Sequence, residues 1–96
     1  MFEKMGAPVA TQKVTAGDVA ASLPTNVQEC QGVLISVETN AIRYCVGGST
    51  PTTALGHKIS AGDMIRLTSN SQISSFKYIN AVAESNADLM ITGEFL

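Results

Sequence analysis

The stretch GVLISVETNAIRYCV, residues 32–46, constrains this chain more than any other. Apolar and polar residues alternate along it, which is the period of a strand buried on one face only. The alternation is interrupted once, at Thr39-Asn40. Folding back there predicts a hairpin in which Val37 faces Ile42, Ile35 faces Tyr44 and Val33 faces Val46, all toward a core. The opposite face then carries Ser36 with Arg43, Glu38 with Ala41 and Leu34 with Cys45, and is mostly wet. A slip of one residue would turn the apolar set to water, so this register is strongly specified. Asn40 suits the left-handed backbone conformation such a turn requires.

The chain also echoes itself. VTAGDV at 14–19 returns as ISAGDM at 59–64, and ETNA at 38–41 returns as ESNA at 84–87, offsets of 45 and 46 residues. In the second half, Gly62 supplies a positive φ, and MIRLTS follows as a strand with Ile65 and Leu67 inward and Arg66 outward. ISSFKYINAVA (73–83) and LMITGEF (89–95) predict a second hairpin, closed at Ser85-Asn86, with Val82 against Leu89, Lys77 against Glu94 and Phe76 against Phe95. Both faces of that hairpin are half apolar, which predicts cover on both sides.

Short strands with turn signals every 8–12 residues indicate a sandwich or barrel. The fold class expected is therefore all-β: a small antiparallel β-sandwich, jelly-roll-like, with residues 14–46 and 59–95 as pseudo-repeated halves. Residues 1–9, with Pro8 and no strand pattern, read as an N-terminal arm on a single domain spanning 10–96. One helical turn is conceivable over 16–23, near Asp18. Residues 47–57, GGSTPTTALGH, form a loop long enough to be functional.

Composition limits what such a domain does. Nine serines, nine threonines, five asparagines and four glutamines stand against fourteen charged residues. Charged residues make up 15% of the chain, where about 25% is usual. Depletion of Lys, Glu and Asp marks the buried part of protein–protein interfaces. The six basic residues are scattered and the net charge is −2, so no phosphate-tracking stripe exists and nucleic acid is not an expected partner. No apolar run approaches the ~18 residues of a membrane-spanning helix. MFEKMGAPVA lacks the apolar core of a secretory signal, so Cys30 and Cys45 read as reduced, buried thiols. A core this small is marginal alone, which points to a homo-oligomer.

No constellation names a reaction. His57 is the only histidine, too few for a zinc site with two cysteines distant in sequence. No acid or base signature accompanies either thiol. The paired glycines of VGGST precede neither a lysine nor a helix, so they do not cradle a phosphate. Asp18 and Asp63 read as carboxylates bonded to their own turns. Neither catalytic residues nor metal ligands nor cofactors are expected, and the chain does not read as an enzyme.

Several motifs nevertheless occur together: V-x-I-x-V-E followed by A-I-R-Y (Val33 to Tyr44), P-T-x-x-x-G-H (Pro51 to His57), an x-A-G-D turn (Ser60 to Asp63) and a short terminal strand (Leu89 to Phe95). Over residues 32–95 this arrangement resembles small β-sandwich structural proteins of tailed phages, most of all capsid decoration (cement) proteins. The resemblance implies a virion component assembled in the host cytoplasm. It would bind the major capsid protein lattice or neighbouring virion proteins, with a trimer the favoured oligomer. Partner contacts are expected from the arm (Met1, Phe2, Met5, Pro8) and from the long loop (Thr50, Pro51, Thr52, Thr53, Leu55, His57). The alternatives are a head–tail junction or tail accessory protein and, further off, a carbohydrate-binding module, which the absence of Trp disfavours. A cupin-like enzyme would need more histidines than one.

Overall fold

A computed structural model describes residues 7, 8 and 11–95. Their strands form two antiparallel sheets. In the first, β2 (Gln12–Ala16), β9 (Ala87–Phe95), β4 (Gly32–Thr39) and β7 (Met64–Leu67) lie side by side, and the two-residue β1 (Ala7–Pro8) continues the line of β2 along β9. The second runs β3 (Ala21–Ser22), β8 (Lys77–Asn80), β5 (Ile42–Cys45) and β6 (His57–Ile59). Pairing β2 with β9, β3 with β8, β4 with β7 and β5 with β6 describes one long antiparallel ribbon, whose tip is the loop at 46–56. The ribbon is rolled so that the strands of each arm, β2 to β5 and β6 to β9, alternate between sheets, and β4·β9 and β5·β8 pairing seals each sheet. This winding is a jelly roll.

The rolled ribbon overturns both expected hairpin registers. Ile35 pairs with Ile65 and Ile91, not Tyr44, and Tyr44 pairs with His57 and Tyr78. The turn at Thr39-Asn40 carries the chain from one sheet to the other, with Asn40 in the left-handed region at φ 59°. Val33, Ile35, Val37 and Ile42 still all face the core and are fully buried. Alternation dictates which face of a strand is dry, and a core lies equally well between two sheets as beneath one hairpin. The second pair fails for the same reason: β8 and β9 belong to different sheets, and Lys77 pairs with Cys45 while Glu94 pairs with Gly32. Residues 16–23 are not helical. The helix is α1 (Asn70–Ser75), where a strand was expected from Ile73. Its N-cap Ser69 accepts a hydrogen bond from the Gln72 amide, and the Gln72 side chain accepts one from the Thr68 amide, a variant of the capping box.

The echo in the sequence is an echo in space. Exchange β2 with β6, β3 with β7, β4 with β8 and β5 with β9, and the order of the first sheet becomes the order of the second read backwards. Even the helical segments correspond. Leu23, Asn26 and Gln28 flank or occupy a 3₁₀ turn (Thr25–Val27), and Leu67, Asn70 and Gln72 stand 44 residues later around α1. Both Ala-Gly-Asp turns change sheets, in opposite directions, and Gly62 has the expected positive φ of 93°.

Four of the six sheet changes fall at one end of the sandwich, where hydrogen bonds tie them together. Asn80 donates its backbone amide to the Gly17 carbonyl (3.0 Å), Ala81 to Ala41 (3.0 Å) and Gly62 to Val37 (2.7 Å). The Asn40 side chain donates to the Asn86 carbonyl at 2.7 Å. Asp18, expected to serve its own turn, instead reaches across: its carboxylate accepts from the Asn80 side chain (2.7 Å) and the Glu84 amide (2.8 Å). These two bonds hold the Asp18 carboxyl below its ordinary pKa, the Asn80 bond contributing most. Asn80 is wholly buried; its side-chain NH2 group is satisfied by Asp18, while its Oδ1 has no hydrogen-bond partner among the described residues.

The opposite end is packed by Val27, Ile73 and Phe76. There the Cys30 thiol lies over Gly93, where an added Cβ would stand 2.7 Å from Sγ and 3.0 Å from Val27 Cγ1. Burial, with Glu29 and Glu94 nearby, pushes the Cys30 thiol pKa up. Both cysteines are free and buried, as the sequence led us to expect.

Gly93→Ala should therefore destabilise the protein by about 1–3 kcal/mol, the usual cost of overpacking, read from denaturant unfolding. Adding Cys30→Ala should recover part of that loss. For Asp18 the sign follows from a lowered native pKa. The stability it confers is complete above the ordinary carboxyl range and is lost as pH falls through the native value. Asp18→Ala should lower the denaturation midpoint at neutral pH and flatten its decline below about pH 4.

Candidate functional site

The ribbon tip carries the most distinctive surface. Gly47 and Gly48, at φ 79° and 99°, turn the chain out of β5, and the loop then folds back over the outer face of the second sheet. Arg43, which points outward from β5, clamps it: Nε donates to the Thr53 carbonyl and a terminal guanidinium nitrogen to the Gly56 carbonyl, both at 2.9 Å. Within the loop a tight turn forms, with the Leu55 amide donating to the Thr52 hydroxyl (2.9 Å) and the Thr52 amide to the Leu55 carbonyl (2.9 Å). The Gly47 amide donates to the Ser75 hydroxyl of α1. Gly56, at φ 126°, approaches β5 so closely that a Cβ would lie 3.0 Å from the Tyr44 carbonyl oxygen.

Under the flap lies an open pocket of about 340 Å³, lined by Cys45, Val46, Ser49, Leu55, Gly56 and His57. Its apolar wall is Cys45, Val46 and Leu55. The His57 ring lies 5.3 Å from that of Tyr44, which stacks on Phe76 at 5.1 Å. The aromatic row therefore braces one wall from inside the sandwich. No strand of the second sheet contains an acidic residue, while Arg43, Lys58 and Lys77 all come from it. Arg43 and Lys58 are direct cross-strand neighbours, and Lys77 is opposite Cys45. The pocket thus has a basic setting. Elsewhere Lys13 and Arg66 are neutralised by Asp88 and Glu94 on the outer face of the first sheet.

The expected contact residues fare unevenly. Leu55 and His57 are exposed and meet at the pocket, and Thr50, Thr52 and Thr53 are exposed on the flap. Pro51 is fully buried and holds the flap down, so it is not available to a partner. Met1, Phe2 and Met5 lie outside the described residues. Pro8 belongs to β1 and pairs with Glu94, so this part of the arm is a strand. Cys45 was expected on a wet face. It does point outward, in phase with Arg43, but the flap covers it and leaves 7% exposed. Sequence reasoning did not bring Cys45, Val46, Ser49 or Arg43 to the site. An arginine in the middle of an apolar strand, just before a glycine-rich loop, was the available signal.

No protein-family model matches this chain, and searches among curated proteins and solved structures find no match either.

Cys45 reports on the clamp. Each hydrogen bond from a charged donor contributes roughly 1.5 kcal/mol, so Arg43→Ala should raise flap opening, and Cys45 alkylation with it, at least ~10-fold. Mass spectrometry should find Cys30 as protected as in the wild type.

Proposed function

We propose that the chain is a structural subunit of a tailed-phage virion, most specifically a capsid decoration protein that braces the head through protein–protein contacts. The observation that carries this reading is the outer face of the first sheet. Leu34, Ser36, Met64, Met90 and Thr92 make its centre, and the Arg66–Glu94 and Lys13–Asp88 pairs make its margins. A face whose centre is neutral polar and apolar, and whose charges other than Glu38 are paired, suits docking on another protein surface. β1, the described part of the arm, lies in the same sheet.

Jelly rolls serve viral shells, lectins and cupins alike, so the fold alone does not choose among them. The side chains favour the first. Among the described Phe and Tyr residues, Tyr78 and Phe76 are buried and Tyr44 is half-buried between Phe76 and His57, which leaves Phe95, 40% exposed at the end of β9, as a single ring open to stacking on a sugar. Among the described residues no group of three or more His, Cys, Asp or Glu is placed to hold a metal ion. A place at the head–tail junction or on the tail uses the same face and is the second reading.

Purified protein, mixed with heads of the encoding phage that lack it, should pellet with them and raise the temperature at which they release DNA. Met64→Asp, at a side chain 61% exposed, should keep the melting temperature and lose the binding. Wild-type protein that ignores heads but binds tails would move the assignment to the second reading.

A further inference from the structure

Two patches at opposite ends of the sandwich match each other. At the end where the strands change sheets, Asp18, Glu38, Asp63 and Glu84 are all exposed, and none is in an ion pair with a described residue. Val19 and Val82 stand among them, 81% and 59% exposed, beside the Asp18–Glu84 hydrogen bond. Valines this exposed, at the end of the sandwich that carries these four carboxylates, have no role in the core. At the other end, Val46 and Leu55 (54% exposed) line the tip pocket, beside Arg43, Lys58 and Lys77, which have no carboxylate partner among the described residues.

We infer that the acidic corner of one copy docks into the tip pocket of the next. Val82 or Val19 would enter against Val46, Leu55 and Cys45, while Glu84 and Asp18 approach Lys58, Lys77 and Arg43. The occupant is a second copy because this chain supplies both halves of the match: exposed valines at an end rich in unpaired acids, and a pocket with an apolar wall on a sheet whose strands carry only bases. Apolar contact at the centre with charge at the rim is the ordinary anatomy of an interface, and opposite potentials set orientation and speed encounter. Since the patches differ and lie at opposite ends, the contact is head-to-tail, closing into a ring or continuing as a chain according to the angle between copies. It leaves the outer face of the first sheet free, and it holds or fails whether or not that face docks on a shell.

Light scattering and sedimentation of the pure protein, without phage particles, test the contact. Wild type should associate between micromolar and millimolar concentration, and more weakly at high salt. Lys58→Glu alone and Glu84→Lys alone should each weaken association at least ~10-fold, because like charges then face each other. Mixing the two variants should restore it, since the intact corner of the first meets the intact pocket of the second. Leu55→Ala should weaken association without changing the salt dependence. Unchanged thermal melts show that the variants fold. A wild type that stays monomeric to millimolar concentration, or variants that associate as wild type does, overturns the proposal. So does a mixture that stays as weak as its components.

Discussion

The jelly roll depends on the four of its six sheet changes that are made at one end, each of which removes backbone groups from a ladder without exposing the core. Buried amides and carbonyls must be paired, and here the corners pair with one another. Ala81 reaches Ala41, Gly62 reaches Val37, and Asn80 reaches Gly17. Asp18 adds a side-chain bridge between the first and last corners, and its partner Asn80 is the one buried polar or charged residue among the described residues. The sheets can then be short, with β3 only two residues long, because the clasp and the shared core set their positions. The Ala-Gly-Asp echo marks two of these corners, although only Asp18 uses its side chain to fasten them.

This division of labour explains what the sequence discloses. The alternation at 32–46 identifies the buried set (Val33, Ile35, Val37 and Ile42) because burial depends on the parity of positions along a strand. It is silent on partners, since a two-residue turn can close a hairpin or cross a sandwich, and only distant strands decide. β4 crosses because β7 and β9 occupy both its edges. The turn carries no trace of that competition. The helix at Asn70–Ser75 was legible in Ser69 and Gln72, whose spacing is that of a capping box, but the apolar residues at 73, 76 and 78 suggested a strand. Pro51 and Cys45 were misplaced for a tertiary reason: the flap that buries both is held by Arg43, whose two acceptors are 10 and 13 residues away and are backbone carbonyls without sequence identity.

The charges sort by architecture. With a net charge of only −2 the chain looks bland, yet the strands of the second sheet contribute bases alone and the corners contribute acids. Scatter along the sequence becomes segregation in space because the ribbon brings residues 18, 38, 63 and 84 to one end. Composition averages over such a pattern, which is why a count of charges did not reveal the two patches.

The ribbon also sets the order in which the protein can be made. Gln12 pairs with Ile91 and Lys13 with Met90, so strand β2 has no partner until β9 has been synthesised, more than 70 residues later. The tip pairs, β5 with β6, span little more than a loop and can form early, whereas each pair further down the ribbon closes a longer loop at greater entropic cost. On the ribosome the second sheet lacks β8 and the first lacks β9 until the final segment emerges, leaving the apolar faces of β2 and β4 uncovered meanwhile. A chain wound this way folds from its middle outward. Its first and last strands meet at the end.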